Sequence, residues 1–173
     1  MADVNLLAPK VLQWESRLYT ETPGDLGGAT KDGITLATWQ AQGYDKNHDG
    51  HIDKEDVKLI DDADFTKILK KYWDEWKADD IKNQSVAEML VDWVWTSGKY
   101  GIVIPQRLLG VPDDGNVGPV TLAALNKTDQ QIFFTSVYNA RLKFLKNIVA
   151  SNPYQVKFLQ GWVNRLNSFK FVA

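Results

Sequence analysis

Two carboxylates and a hydroxyl lie close together near the start of the chain: Glu15, Asp25 and Thr30. Glu15 follows Val11, Leu12 and Trp14, at the end of an apolar stretch. Partial burial there disfavours the charged carboxylate and raises its pKa, which suits a general acid. Asp25 sits among Pro23, Gly24, Gly27 and Gly28, a wet segment predicted to keep it ionised, and the Thr30 hydroxyl is placed to orient a water. Two carboxylates in unequal environments are the usual equipment for cleaving a glycosidic bond: one protonates the leaving oxygen, the other activates water or stabilises positive charge on the sugar. A separation of about 6.5–9.5 Å predicts inversion at the anomeric carbon, and about 5–5.5 Å predicts retention. The plainer alternative is a solvated glutamate after a helix and an ordinary Gly/Pro turn.

A second set of oxygen donors runs from Asp45 to Asp56. It matches the twelve-residue EF-hand loop, with Asp45, Asn47 and Asp49 at positions 1, 3 and 5, Gly50 at the turn, His51 at 7, Ile52 at 8 and Asp53 at 9. The predicted ligands of a structural Ca2+ are therefore Asp45, Asn47, Asp49, His51, Asp53 and Asp56, with His51 contributing its carbonyl and not its ring. Asp56 stands where glutamate is usual, which implies weaker or more magnesium-tolerant binding. A single loop without a paired partner argues against a sensor and for an ion that ties two helices together. An acidic turn that binds nothing is the alternative.

These groups need helices to hold them. Leu6, Leu7, Val11, Leu12 and Trp14 predict a first helix from about Asn5 to Leu18, with Pro9 tolerable only in its first turn. An irregular hairpin is expected at residues 19–34. Thr35 is a plausible N-cap for a helix over Leu36–Gln42 that Gly43 ends, and a third helix covers Glu55–Ile60. Asp64 is expected to cap a helix carrying Phe65, Ile68, Leu69, Tyr72, Trp73 and Trp76 on one stripe. The most apolar helix, Ser85 to Ser97 before Gly98, is expected at the centre of a mainly α, lysozyme-like helical domain. Asp92 inside it needs partners, either as a satisfied core residue or as a group beneath the active site. After the turn signals Asp114-Gly115 and Gly118-Pro119, further helices are predicted from Pro119, from Asp129 to about Ala150 and from Tyr154 to Phe169. Seven tryptophans are a large aromatic allotment: at helical spacing they are core more often than sugar platform, and one or two are expected to line the cleft.

At 173 residues and 44% hydrophobic, the chain is long enough for one domain or a domain with a small appendage. No apolar run approaches the roughly 18 residues of a membrane span. Zero cysteines exclude disulfides, thiolate catalysis and cysteine zinc sites. Net charge is −2, which argues against a nucleic-acid partner, but residues 45–64 carry −5 and residues 126–173 carry +6. The basic part would favour an anionic polymer such as cell wall, or form a solvated helix face. The N-terminus shows no Sec-type signal, so a bacterial or phage-encoded protein made in the cytoplasm would need another route to the periplasm or wall.

Glu15, the run Gly27-Gly28-Ala29-Thr30 and the run Gly33-Ile34-Thr35 resemble the signature of the glycoside hydrolase 108 family of N-acetylmuramidases. That signature typically reads Glu-Gly-Gly-Tyr, then Asp-Pro-Gly-Gly-Ala-Thr-Asn, then Gly-Ile-Thr. Ser16-Arg17 replace its glycine pair, Leu26 its proline and Lys31 its asparagine, and the loop is one residue longer. The order Glu, Asp, Thr is also similar to the catalytic arrangement of phage-type lysozymes. Tyr72-Trp73, the Asp114-to-Thr121 pattern and the segment from Phe158 to Arg165 resemble later parts of the family, including its predicted peptidoglycan-binding portion.

The resemblance implies residues 1–100 as the catalytic part and residues 101–173 as a peptidoglycan-binding helical part packed on it. It implies a peptidoglycan hydrolase that cleaves the β-1,4 bond between N-acetylmuramic acid and N-acetylglucosamine; a monomer is expected, with nothing in the sequence that fixes the oligomeric state. Glu15 would be the general acid, Asp25 the base or stabiliser and Thr30 the water-positioning group. Two rivals stand beside it: a non-catalytic, calcium-stabilised wall-binding or secretion-accessory protein, favoured by the altered motif, and a calcium-signalling module.

Overall fold

The computed structural model describes residues 1–21 and 28–173. Asp25, together with Gly24, Leu26 and Gly27, lies outside the described residues. The chain is mainly helical and divides into two compact units, Val4–Lys71 and Tyr72–Ala173 with Met1–Asp3.

In the first unit, α1 covers Val4–Leu12 and buries Val4, Leu7, Ala8, Val11 and Leu12. The apolar stripe sustains the helix through Pro9, which falls in its interior and not in its first turn. The helix ends six residues sooner than the periodicity predicts. Trp14 N–H donates to the Val11 carbonyl (2.9 Å) and Glu15 N–H to the Leu12 carbonyl (3.2 Å), three residues back in each case, so the last turn tightens and closes. Glu15 therefore stands on a turn after the helix and not on the helix.

A three-stranded antiparallel sheet follows, with β1 Thr20–Glu21, β2 Ala29–Lys31 and β3 Ile34–Thr35 in that order. Thr30 on the central strand is paired with Thr20 on one side and Thr35 on the other. Asp32 (φ 53°) and Gly33 (φ 76°) form the two-residue turn from β2 to β3, the left-handed pair that a type I′ hairpin requires. α2 covers Leu36–Gln42, and the Thr35 hydroxyl accepts from Thr38 N–H to cap it. α3, Lys54–Leu59, begins with a reciprocal capping box between Asp53 and Asp56.

α4 runs from Asp62 to Glu75, and the division between units falls within it. Its start differs from expectation: Asp61 accepts from Asp64 N–H (2.9 Å) and Asp64 accepts from Asp61 N–H (3.1 Å). Asp61 is thus the cap, and Asp64 is its partner one turn inside.

In the second unit, α5 covers Gln84–Ser97, with Asn83 as N-cap and Gly98 as C-cap. Every residue from Ser85 to Val94 is buried, and α6 (Tyr100–Leu109) and α8 (Gln130–Ser151) pack on it. No helix is predicted from the sequence over the stretch that α6 occupies. α7 spans Pro119–Lys127 with Pro119 at its first position, and α9 spans Val156–Ser168 after a 3₁₀ turn at Pro153–Gln155. Trp73, Trp76 and Trp93 are fully buried in this unit, as Trp39 is in the first. The indole N–H of Trp73 donates to Asp79 (2.7 Å) and that of Trp76 to the Gly101 carbonyl (3.2 Å). Most tryptophans are therefore packing residues, as helical spacing favours. No helix among the described residues is long and apolar enough to cross a membrane.

Candidate active site

Glu15 is half-buried on the turn after α1, beside Trp14, which is 37% exposed. The next residue fixes the position of this turn: the Ser16 carbonyl accepts the Asp32 N–H at 3.0 Å. This bond joins the Glu15 segment to the β2–β3 hairpin, which also carries half-buried Thr30. Two of the three predicted catalytic groups thus belong to one sheet-anchored arrangement, and Asp25 lies outside the described residues.

Two of the residues that depart from the family signature, Arg17 and Lys31, tie this arrangement to neighbouring elements. Arg17 places Nε 3.4 Å from Asp32 Oδ1 and donates through Nη2 to Asp62 at 2.5 Å. Lys31 donates to the carbonyls of Lys58 (2.8 Å) and Ile60 (2.7 Å) at the end of α3. A lysine there binds the orphan carbonyls of a helix C-terminus, which also attract positive charge.

Asp32 was not among the residues singled out from sequence. It is fully buried, and neither carboxylate oxygen accepts a hydrogen bond among the described residues. Burial pushes its pKa up, opposed by Arg17 and Lys31 and reinforced by Asp62 and Glu15. An Asp-Gly pair reads first as a hairpin turn, and nothing in that local signal says that the side chain will point inward.

The Asp45–Asp56 loop makes the turns its residue types demand. Asp45 accepts from the N–H groups of Asp49 (3.2 Å) and Gly50 (2.8 Å), Asn47 from Asp49 (3.0 Å) and Asp49 from His51 (2.9 Å). Gly50 has φ 91°, a conformation side-chain-bearing residues avoid. Asp53 caps α3 by accepting from Glu55 N–H. Asp56 is fully buried and accepts from the N–H groups of Lys46 (2.7 Å), Asn47 (3.1 Å) and Asp53 (2.9 Å). The donors are hard oxygens that suit calcium, yet the Asp56 carboxylate closes the loop by accepting backbone N–H groups of Lys46, Asn47 and Asp53. Among the described residues no group of three or more His, Cys, Asp or Glu is gathered to hold a metal. Lys46 extends from the loop to Asp61 (2.7 Å) and Asp64, tying it to the start of α4.

In the second unit, Asp92 on α5 is fully buried between two arginines. Arg141 Nη2 donates to Oδ2 at 2.6 Å, and Arg165 donates to Oδ1 through Nη2 at 2.7 Å and Nε at 3.1 Å. Desolvation raises the pKa of this carboxyl, but the two guanidiniums outweigh it and hold the group below the usual range. Asp92 is therefore a satisfied core residue, and two of the cations counted in the basic C-terminal stretch serve it instead of the surface.

The predicted peptidoglycan-binding motif is organised by a residue the sequence did not single out. Buried Gln106 on α6 donates to Asp114 (3.2 Å), the Asn116 carbonyl (3.0 Å) and Thr121 (3.3 Å), and accepts from Gly115 N–H (2.9 Å). Beside this loop, Lys99, Tyr100, Val103 and Arg107 line a surface hollow of about 370 Å³. It combines an exposed aromatic ring with two cationic side chains.

Residues 8–98 match the family described as glycosyl hydrolase 108, and residues 100–167 match one described as a predicted peptidoglycan domain. The solved structure of Brucella abortus SagA matches 96% of this chain and 90% of its own, with a TM-score of 0.73 and 29% sequence identity. No curated protein matches the sequence.

Proposed function

The chain belongs to the glycosyl hydrolase 108 family, and we propose that it is an N-acetylmuramidase that uses Glu15 as its general acid. Its class is that of a glycoside hydrolase acting on peptidoglycan, at the cell wall. The finer reading is cleavage of the β-1,4 bond between N-acetylmuramic acid and N-acetylglucosamine. The observation that carries it is the Ser16–Asp32 backbone bond, which ties half-buried Glu15 to the hairpin bearing Thr30.

In this reading Glu15 protonates the leaving glycosidic oxygen, and Thr30 orients the attacking water from the central strand. Asp25 serves as base or as stabiliser of the oxocarbenium-like transition state. Trp14 offers an exposed indole next to Glu15 on which a sugar ring can stack. The hollow lined by Lys99, Tyr100, Val103 and Arg107 suits an anionic wall strand, which supports wall binding by the second unit.

Glu15→Gln keeps the size of the side chain and removes its proton. Release of new reducing ends from purified peptidoglycan is expected to fall by about 10²–10⁴-fold in a variant that still melts cooperatively. Parental activity in that variant overturns the assignment. Binding to peptidoglycan without bond cleavage by the parent protein would favour the non-catalytic wall binder.

Calcium binding by Asp45, Asn47, Asp49, the His51 carbonyl, Asp53 and Asp56 is likewise a proposal, supported by the donor spacing and the Gly50 turn. A bound ion would neutralise part of the local acidity and fix the segment between α2 and α3. The melting temperature should rise in calcium at about 1 mM relative to chelator if the affinity lies in the range of extracellular modules. Equal melting in both conditions would leave the loop as an acidic turn closed by its own backbone.

A further inference from the structure

Two guanidiniums serve one carboxylate inside the second unit, and that count leaves a positive charge unbalanced. Asp92 is fully buried and Arg141 is 3% exposed. The charged groups that act on Arg141 are Asp92 and Arg165. Glu88, the other buried acid of α5, accepts from Gln84 at 2.9 Å. Arg141 is also short of acceptors among the described residues: Nη2 reaches Asp92 and Thr96 Oγ1 (3.1 Å), Nη1 meets the Met89 sulfur at 3.8 Å, and buried Nε has no partner. A buried cation in excess of its counter-charge is costly, so an anion arriving from outside would be favoured.

These arginines border a hollow of about 140 Å³ lined from α5, α8 and α9. Arg141, Arg165, Thr96 and Ser97 make its polar side, and Leu145 and Trp162 belong to its apolar side. The Thr96 proton is committed to the carbonyl of Asp92 (3.0 Å) or Trp93 (3.2 Å), whereas Ser97 Oγ has one long contact, 3.4 Å, to Thr96 Oγ1. The Ser97 hydroxyl is thus a donor available to a guest. At the rim, Trp162 stacks on Phe158, which is 47% exposed, with ring centroids 6.0 Å apart. All of these residues belong to one compact unit. The hollow shares no lining residue with the one at Lys99 and Tyr100, where Arg107 is already paired with Asp113 at 2.5 Å.

The chemistry of the lining selects the guest. Guanidiniums match the oxygens of a carboxylate, and one unbalanced positive charge answers one negative charge. The volume is below the roughly 300 Å³ of sites for drug-sized ligands, so a terminal residue with a small side chain fits and a disaccharide does not. We propose that this hollow binds the carboxylate end of a short aliphatic peptide, the group that branches from the glycan strands of peptidoglycan. This rests on the reading of the second unit as wall-binding and gives that reading a specific contact. The carboxylate takes the Ser97 hydroxyl and the guanidinium edge, the terminal methyl group packs on Leu145 and Trp162, and the preceding residue lies along the Phe158–Trp162 rim.

The test is an NMR titration of the full chain with N-acetyl-D-alanyl-D-alanine, its C-terminal amide and inorganic phosphate, beside co-sedimentation with purified sacculi. The parent is compared with Ser97→Ala and with Ile148→Trp, which fills the hollow from its half-buried lining without touching a charge. The free acid should bind at least about tenfold more tightly than the amide, as a charge-assisted bond requires. Ile148→Trp should abolish that binding, and Ser97→Ala should weaken it by about threefold to tenfold. Equal binding of acid and amide, or binding unchanged in a folded Ile148→Trp, overturns the proposal. If Ile148→Trp does not fold, Ser97→Ala decides by the same criterion. Phosphate binding as tightly as the peptide overturns the carboxylate assignment. A parent that sediments with sacculi but binds no peptide overturns this site alone, and one that does neither overturns the wall-binding reading with it. Peptide binding without sedimentation overturns peptidoglycan as the source of the carboxylate.

Discussion

Asp32 in the first unit and Asp92 in the second are both fully buried aspartates, and the protein treats them in opposite ways. Asp92 receives charge-assisted bonds from Arg141 and Arg165, so its negative charge supports the fold. Asp32 has a single cation at 3.4 Å and no hydrogen-bond donor among the described residues, so its charge opposes the fold. Burial alone does not say what a carboxylate is for. The satisfied one belongs to the core, and the unsatisfied one lies on the hairpin bonded to the segment of the proposed acid.

The sharpest way to break this contrast is Asp92→Asn. It would leave Arg141 buried without its counter-charge, a loss of about 3–5 kcal/mol in unfolding free energy. Denaturant titration checks it, and a loss below about 1 kcal/mol, the value of an exposed pair, would remove the distinction between the two sites.

A smaller effect separates the two by the sign of their pH dependence. The Asp92 pKa is held below its ordinary value, so its contribution to stability is present above about pH 4 and is lost as pH falls through the folded value. The Asp32 pKa is raised, so its contribution is least unfavourable in acid and worsens as pH rises above about 4. Melting curves of Asp32→Asn and Asp92→Asn between pH 3 and pH 7, each against the parent, should therefore diverge in opposite directions. Parallel curves would contradict the contrast.

The smallest expected effect is at the exposed end of the Arg17 network. Asp62→Asn should change stability by about 1 kcal/mol or less, and added salt should reduce the difference further. A larger, salt-independent loss would mean that Arg17 is held by Asp62 and that Asp32 has little part in it.

The features legible in the sequence are those whose physical cause is local. Thr35 and Gly43 bound α2 as expected, because a cap is a bond between near neighbours. The apolar density of residues 85–94 marked α5 as a buried helix, and Asn83 and Gly98 bound it. The end of α1 was misplaced because periodicity continues to Trp14 while the backbone has already tightened into three-residue bonds. Asp64 looked like a cap because the box is reciprocal, and only geometry shows that Asp61 occupies the outer position.

Chemistry followed the same division. Residue types and order marked Glu15 and Thr30, and the run from Asp45 to Asp56 displayed its turn-forming oxygens. The partners of Asp92 were not legible, since Arg141 and Arg165 lie 49 and 73 residues away. Gln106 and Asp32 looked like an ordinary helix residue and an ordinary turn residue. The sequence by itself determined the helical class, the family and the residues able to donate a proton, because these follow from local pattern and side-chain chemistry. Tertiary structure decided which charges are buried and which neighbours answer them. Desolvation and Coulomb interactions depend on distance in space, and separation along the chain does not reveal that distance.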